Sequence, residues 1–299
     1  KNTPNICLPL WRYWSRLGRK WRRSLDKEPL LISFSGGRTS AYMTHLIMNN
    51  LGLFTNYTPF IVFANTGCEH EQTLEFIHQC ETVFGWPVVW LEAVINSEHG
   101  KGTRHKVVNF EIASRNGEPY QAMIAKYTIP NVSNPHCTRE LKLAVINSWA
   151  REKFGTAAVD TAIGIRVDES RRIKADAVQR KIIYPLVDIW PSEKQDVLDF
   201  WKKQPFDLNI PEYLGNCVWC FKKSDAKLLN ALNDASEYFE FPKMMERLYP
   251  NGRDGSPVFF FRRHRTVSDL EKLKEIVEPT VSYTHQGGCS ESCEFLQAV

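Results

Sequence analysis

The residues whose types and spacing can do chemistry are a set of cysteines and one glycine turn. Cys217-Val218-Trp219-Cys220 places two thiolates within reach of one metal ion or cluster, and the same spacing also serves a redox dithiol. A dithiol of the thioredoxin kind opens a helix that follows a strand, which Gly215-Asn216 does not suggest. A metal site needs four ligands, and Cys137 with one of Cys289 or Cys293 would complete it. Zinc and a 4Fe-4S cluster both accept four thiolates, so the spacing leaves them open. Cys137 stands near the start of a helix with Thr138 as its expected cap, where the dipole stabilises a thiolate, so it is equally a candidate nucleophile. Cys7, Cys68 and Cys80 read as small core residues or bystanders.

The glycine turn is Ser35-Gly36-Gly37-Arg38-Thr39-Ser40. Two residues without Cβ let the backbone turn sharply and approach a ligand. A helix starting just after them aims unpaired N–H groups and its positive dipole end at the turn. That is a seat for an anion, most naturally a phosphate. The turn has neither the glycine spacing and Lys of a Walker A loop nor a GxGxxG pattern. The competing reading is an ordinary strand-to-helix connection. Two further groups are expected at strand ends: Asn65 and Thr66, which could equally be helix caps, and the run Gly164 to Arg172, where Arg166 could clamp a phosphate through its planar fork. Arg172 is expected in a surface salt bridge.

The elements that must position these groups follow from periodicity. Leu30–Phe34, Phe60–Ala64, Val88–Leu91, Ala157–Ile165 and Ile182–Val187 read as strands, the last at an edge because it contains Pro185. Helical spacing covers Thr39–Asn49, Glu71–Phe84, a run from Cys137 to about Lys153, and Ser192–Lys203 capped by Ser192. Alternation of this kind predicts an α/β protein with a Rossmann-like, doubly wound and mostly parallel sheet, followed by a smaller helical, cysteine-bearing region. Residues 28–205 are assigned to the nucleotide-binding domain and 206–299 to the C-terminal region. An insertion at about 93–135 is read as a polar loop over the pocket mouth, in which Lys101, Arg104, His105 and Lys106 could hold a polyanion. Residues 1–27 read as a basic amphipathic helix with Trp11, Trp14, Leu17 and Trp21 on one side. Such a helix either packs its tryptophans on the body or lies on phosphate backbones or acidic lipid.

At 299 residues the chain can bury a large core, and 43% hydrophobic with 24% charged residues is ordinary for a globular protein. No stretch approaches the roughly 18 apolar residues of a membrane span, and no signal-peptide core is visible at the start. Eight clustered cysteines in a chain of this length argue for a reducing compartment, so a cytoplasmic location is expected. The net charge of +4 demands no nucleic-acid partner.

Taken in order, SFSGGRTSAY, NTGCEHEQTLEF, PHCTRELK, GIRVDESRR and NCVWCFKK resemble the phosphoadenosine phosphosulfate reductase family within the PP-loop adenine-nucleotide superfamily. The resemblance spans about residues 28–225. It implies that Ser35, Gly36, Gly37, Thr39 and Ser40, with Arg38 in the same turn, bind the phosphates of ATP or a related adenylyl nucleotide. Asn65, Thr66 and Glu69 match the family's second nucleotide motif, and Gly164, Arg166, Glu169 and Ser170 fall in its third. Cys137, Cys217 and Cys220 match positions that hold 4Fe-4S in cluster-bearing relatives. Thr39 stands where many superfamily members carry Asp, which bears on Mg²⁺ handling. The tail GGCSESCEF differs from the Glu-Cys-Gly-like end of true sulfonucleotide reductases. A single Cys followed by Thr and a basic helix is more similar to relatives that thiolate DNA or tRNA. Three functions are therefore compared: ATP-dependent adenylation and sulfur transfer to nucleic acid, with Arg166 and Cys137 in the chemistry and a cysteine-desulfurase-like donor; reduction of a sulfonucleotide by Cys289 or Cys293 with a thioredoxin-like partner; and a nucleotide-binding module without catalysis.

Overall fold

The computed structural model of the protein describes residues 27–98 and 100–276. The basic N-terminal helix, Cys7, Cys289 and Cys293 lie outside the described residues. Six strands form one sheet: β1 (Glu28–Ser33), β2 (Tyr57–Asn65), β3 (Val88–Val94), β4 (Arg104–Val108), β5 (Asp160–Ile163) and β6 (Ile182–Ile183), in the order β4-β3-β2-β1-β5-β6. All neighbours pair in parallel except β3 and β4. β1 is central and almost wholly buried, as its apolar run Leu30-Leu31-Ile32 requires of a strand covered on both faces. The sequence-based α/β, doubly wound architecture is the one observed.

Helices α1 (Arg38–Asn49), α2 (Glu71–Phe84) and α3 (Glu118–Tyr127) precede a helical run α4. This run comprises His136–Thr138, a π turn at Arg139–Leu143 and Ala144–Phe154. Then follow α5 (Pro185–Asp188), α6 (Lys194–Trp201), α7 (Asp225–Asp234), α8 (Glu240–Leu248) and α9 (Val267–Ile276). On one side of the sheet, α1, α2 and α6 share an aromatic cluster in which Phe76 and Trp201 meet edge to face at 4.8 Å and His45 packs on Phe84 and Phe200. On the other side, Trp149 and Phe154 of α4 pack on Phe60 of β2. Edge-to-face contact of this kind adds to burial because a ring's positive edge meets a negative face.

Several local expectations are corrected. Arg104, His105 and Lys106 lie in an antiparallel edge strand rather than a loop. Lys106 pairs at 2.8 Å with Glu92, which has no exposed side-chain surface, so this lysine serves the fold rather than a polyanion. The supposed insertion also contains α3. Only Ile182 and Ile183 remain of the last predicted strand, because Pro185 opens α5 instead. Thr138 is itself helical and not a cap, since the helix begins one turn earlier, after Pro135. Glu193, not Ser192, caps α6, through reciprocal bonds with Asp196. Among the described residues, no helix is long and apolar enough to cross a membrane.

Candidate nucleotide and thiol site

Chain order reverses beside β1: β2 and β3 lie on one side of it, β5 and β6 on the other. The loops leaving the carboxyl ends of β1 and β5 are therefore neighbours, which is where open α/β sheets leave a crevice for ligands. The first loop is Ser35–Gly37 and the second is Gly164–Arg166. They touch closely: a Cβ on Gly164 would lie 3.0 Å from the Ser40 Cα. Gly164 is thus a packing residue that lets the two loops meet.

Gly36 has φ +78°, and a side chain there would meet Thr73 Cγ2 at 2.7 Å and Ile77 Cδ1 at 2.9 Å. Gly37 caps α1 without any side-chain bond, so the first-turn amides of a twelve-residue helix have no intrahelical acceptor. Ser40 folds back to support the turn. Its hydroxyl donates to the Gly37 carbonyl at 2.9 Å, accepts from the Ser35 amide at 3.2 Å and lies 3.0 Å from the Ser35 hydroxyl. In front of this turn is a cavity of about 60 Å³, lined by Ser35 to Ser40, Thr73, Gly164, Arg166, Glu169, Arg172 and a segment from Leu208 to Asn216. The Thr73 hydroxyl is buried there with no hydrogen-bond partner. Such orphaned groups cost about 1–3 kcal/mol, so one beside an uncapped helix end is a mark of a ligand seat.

Two arginines flank the turn. Arg166 donates from Nη1 to the Thr39 hydroxyl at 2.9 Å and forks onto Asp168 at 2.8 and 3.0 Å, with Glu169 at 3.3 Å. Burial pushes the Asp168 carboxyl up, but the bond and charge of Arg166 outweigh it and hold the group below its usual range. Arg38 forks onto Asp207 at 2.6 and 2.9 Å and reaches the Leu208 carbonyl. Arg172 is not the outer salt bridge expected from the sequence; it lines the cavity and pairs with half-buried Glu169 at 2.5 Å. Ser170 is exposed and does not reach the cavity.

The second motif lies at the end of β2 and is occupied in holding its own turn. Asn65 donates to Glu92 at 2.7 Å and to the Ser114 carbonyl, and accepts from the Gly67 amide. Burial pushes Glu92 up, but Lys106, Ser114 and Asn65 together draw it below its usual value. Glu69 accepts from the Thr66 amide and hydroxyl and from the Cys68 amide. Asn65, Thr66 and Glu69 do not line the cavity in front of Gly36.

They do reach the thiols. Glu69 bridges Cys217 as an antiparallel pair, the Val218 amide donates to the Cys68 carbonyl at 3.3 Å, and the Thr66 hydroxyl is 3.5 Å from the Cys217 sulfur. Cys68 therefore belongs beside the CxxC loop. Burial pushes its thiol well up, followed by the charges of Cys217, Glu69, Glu118 and Cys137. Tyr120 sits among the same groups, its phenol raised by burial, then by the charges of Cys137, Cys217 and Cys68, and by a hydrogen bond with Cys137. Cys217 and Cys220 are buried, and Cys137 is half-buried just before the π turn. None of Cys68, Cys80, Cys137, Cys217 and Cys220 is in a disulfide. The donors have the right chemistry for zinc or an iron–sulfur cluster, yet among the described residues no three Cys, His, Asp or Glu side chains form a group that could hold a metal ion.

The loop around Cys217 is built on a lysine. Lys223 has no exposed surface, and its ammonium donates to the carbonyls of Tyr213, Cys217 and Val218 at 2.6, 3.0 and 2.7 Å. The sequence signals this only as one of two lysines after CVWCF. Thr73 and Asp207 had no sequence signal at all.

A mostly parallel sheet with an uncapped glycine turn at its switch point defines a doubly wound α/β protein. The chain belongs to the phosphoadenosine phosphosulfate reductase family, whose domain matches residues 29–181. It is 33% identical over 282 residues to the nin region protein ORF290 of Escherichia phage lambda, covering 89% of this chain and 94% of that one. Protein MJ0066 of Methanocaldococcus jannaschii is 24% identical over 228 residues, 74% of this chain and 41% of its own length. Among solved structures, the U34-tRNA thiolase NcsA from Methanococcus maripaludis, with its 4Fe-4S cluster, is 16% identical with a TM-score of 0.35, covering 91% of this chain and 82% of that one.

Proposed function

We propose that this protein is a PP-loop enzyme of sulfur chemistry that binds ATP or a related adenylyl nucleotide by its phosphates at Ser35–Ser40, and uses it to adenylate and then thiolate an acceptor on DNA or tRNA. The observation that carries this reading is the uncapped start of α1 in a cavity whose lining also includes Thr73, with its orphaned hydroxyl, within a family named for a sulfonucleotide. An acceptor oxygen attacks the α-phosphorus and pyrophosphate leaves. A sulfur nucleophile at the hydrosulfide level then attacks the acceptor carbon and displaces AMP. The first-turn amides of α1 and the guanidinium of Arg166 stabilise charge on the departing phosphates.

Room for a whole nucleotide requires the 208–216 segment to lift, since ligand cavities of this kind run to about 300–1,000 Å³. A 4Fe-4S cluster or zinc would need Cys137, Cys217 and Cys220 to converge with Cys289 or Cys293, a grouping that the three described cysteines do not make as they stand. Anaerobic purification with iron, sulfide and zinc analysis tests that occupancy. Mg²⁺ would accompany the nucleotide, and a cysteine-desulfurase-like protein is the class of sulfur donor. Pyrophosphate and AMP release from ATP that depends on added DNA or RNA, with sulfur appearing in the polymer, is the expected result. Sulfite release from a sulfonucleotide, lost on Cys289→Ser or Cys293→Ser, would replace this reading with a reductase. Nucleotide binding with neither product would leave a binding module.

A further inference from the structure

A second and larger cavity, about 860 Å³, lies beyond the thiols on the far side of the CxxC loop. Its floor is Gly67, Cys68 and Glu69 at the end of β2, and α8 forms its opposite wall. Its size is that of a small-molecule pocket. Two kinds of surface define what it can hold.

The first is aromatic. Half-buried Phe241 lines the cavity and is backed by Trp219, itself only 1% exposed, with centroids 5.7 Å apart and planes at 26°. Tyr238, also on its wall, is stacked on His70 at 5.2 Å and 18°. Flat faces held in fixed planes favour a flat ligand. The second is acidic. Glu237 and Glu240 form no ion pair among the described residues, whereas Arg115 is taken by Glu71 at 2.8 Å and Lys243 by Glu271 at 2.8 Å. Arg247 is the remaining cation of the lining. Five carboxyl side chains thus face three cations, and a phosphate chain would be repelled from the interior. An amino group is the complementary donor.

We infer that this cavity is a second ligand site, for a planar ring carrying an amino group, held between the aromatic wall and the carboxylates of α8. It does not depend on nucleotide binding at Ser35–Ser40. Burial pushes Glu246, in the same lining, to about 7, so this carboxyl can accept from an amino group or donate to a ring acceptor near neutral pH.

The test is calorimetric titration of the full chain with cytidine, which carries the amino group, and uridine, which does not. A short single-stranded oligodeoxycytidylate serves as a third probe. Pyrimidines avoid the adenine-nucleotide seat. Cytidine should bind at least tenfold more tightly than uridine. Met244→Trp, which fills the cavity, and Glu240→Lys, which adds a cation to its wall, should each weaken cytidine at least tenfold while the variants' circular dichroism stays that of wild type. Equal binding of the two nucleosides, no binding of cytidine, or full affinity in a folded Met244→Trp protein overturns the inference. If the oligonucleotide displaces cytidine the ring arrives on a strand; if it does not, the ring arrives as a free small molecule. ATP titrated into the same samples separates the two ideas. ATP binding without cytidine binding sinks only this one, and the reverse sinks only the proposed function.

Discussion

At the scale of single residues, the anion seat is decided by the absence of one carbon atom. Gly36 takes a left-handed φ and packs its α-carbon against Thr73 and Ile77, so any Cβ must displace α2 or reverse the turn. Gly36→Ala should abolish measurable ATP binding by calorimetry; an unchanged affinity would mean the nucleotide sits elsewhere. Thr73→Val tests the orphaned hydroxyl in the opposite way. Removing an unpaired buried group should leave the unliganded protein at least as stable, while ATP affinity drops by about tenfold, the equivalent of one hydrogen bond to a charged partner. Lys223 is the counterpart in the thiol loop. Lys223→Met takes the ammonium from three carbonyls inside the fold, of which that of Cys217 keeps the Cys220 amide at 3.0 Å, and should destabilise the protein by about 2–4 kcal/mol in urea denaturation. It should also open Cys217 and Cys220 to alkylation in the native state; wild-type alkylation rates in the variant would show that the loop holds itself.

At the scale of elements, the segment after α6 acts as a strap over the glycine turn. Arg38, the first residue of α1, holds Asp207 and the Leu208 carbonyl, and Glu212 is held by Lys194 and Lys227 at 3.5 and 3.0 Å. Asp207→Asn removes one charge from this closure. Hydrogen exchange across 208–216 should speed up, and ATP should associate faster; exchange that is unchanged at this segment would deny that Arg38 is the latch. The ties of Arg38 span 169 and 170 residues of sequence, and that explains why periodicity missed them. The strand-turn-helix of Leu30–Asn49 was legible because a buried apolar run, two glycines and a 3.6-residue pattern are all local. β4 was not legible, because Arg104-His105-Lys106 alternate on an exposed edge and their role depends on Glu92, a buried carboxylate on the neighbouring strand. Cys68 looked like a bystander for the same reason. The bridge between Glu69 and Cys217 and the bond from the Val218 amide to its own carbonyl bring it to the thiols.

At the scale of the whole molecule, two of the C-terminal helices, α8 and α9, are fastened to each other by a carboxyl group whose protonation the fold controls. Glu246 of α8 accepts from the Val267 amide at 3.0 and 3.2 Å, so it caps α9 while lying against the second cavity. Burial is the main force pushing it up to about 7; the Val267 amide and Lys243 pull it down, and Asp269 and Glu271 add to the rise. The ordinary value is 4.5. In the unfolded chain the group loses its proton near that value, whereas the folded protein retains it until about 7, so folding takes up a proton across this window. Stability is therefore unaffected by this group below about pH 4.5, declines as pH rises between the two values, and levels off above about 7. Glu246→Gln keeps an acceptor for the Val267 amide and cannot ionise. The variant and the wild type should melt together at pH 4.5, diverge steadily, and differ by a constant margin in favour of the variant at pH 8 and above. Because the histidines and other carboxylates are common to both proteins, the difference between their melting curves isolates Glu246. Curves that run parallel from pH 4.5 to 8 would show that this carboxyl ionises alike in the folded and unfolded chain, and that the α8–α9 junction is held by its apolar contacts, Met245 and Leu270 among them, rather than by a proton.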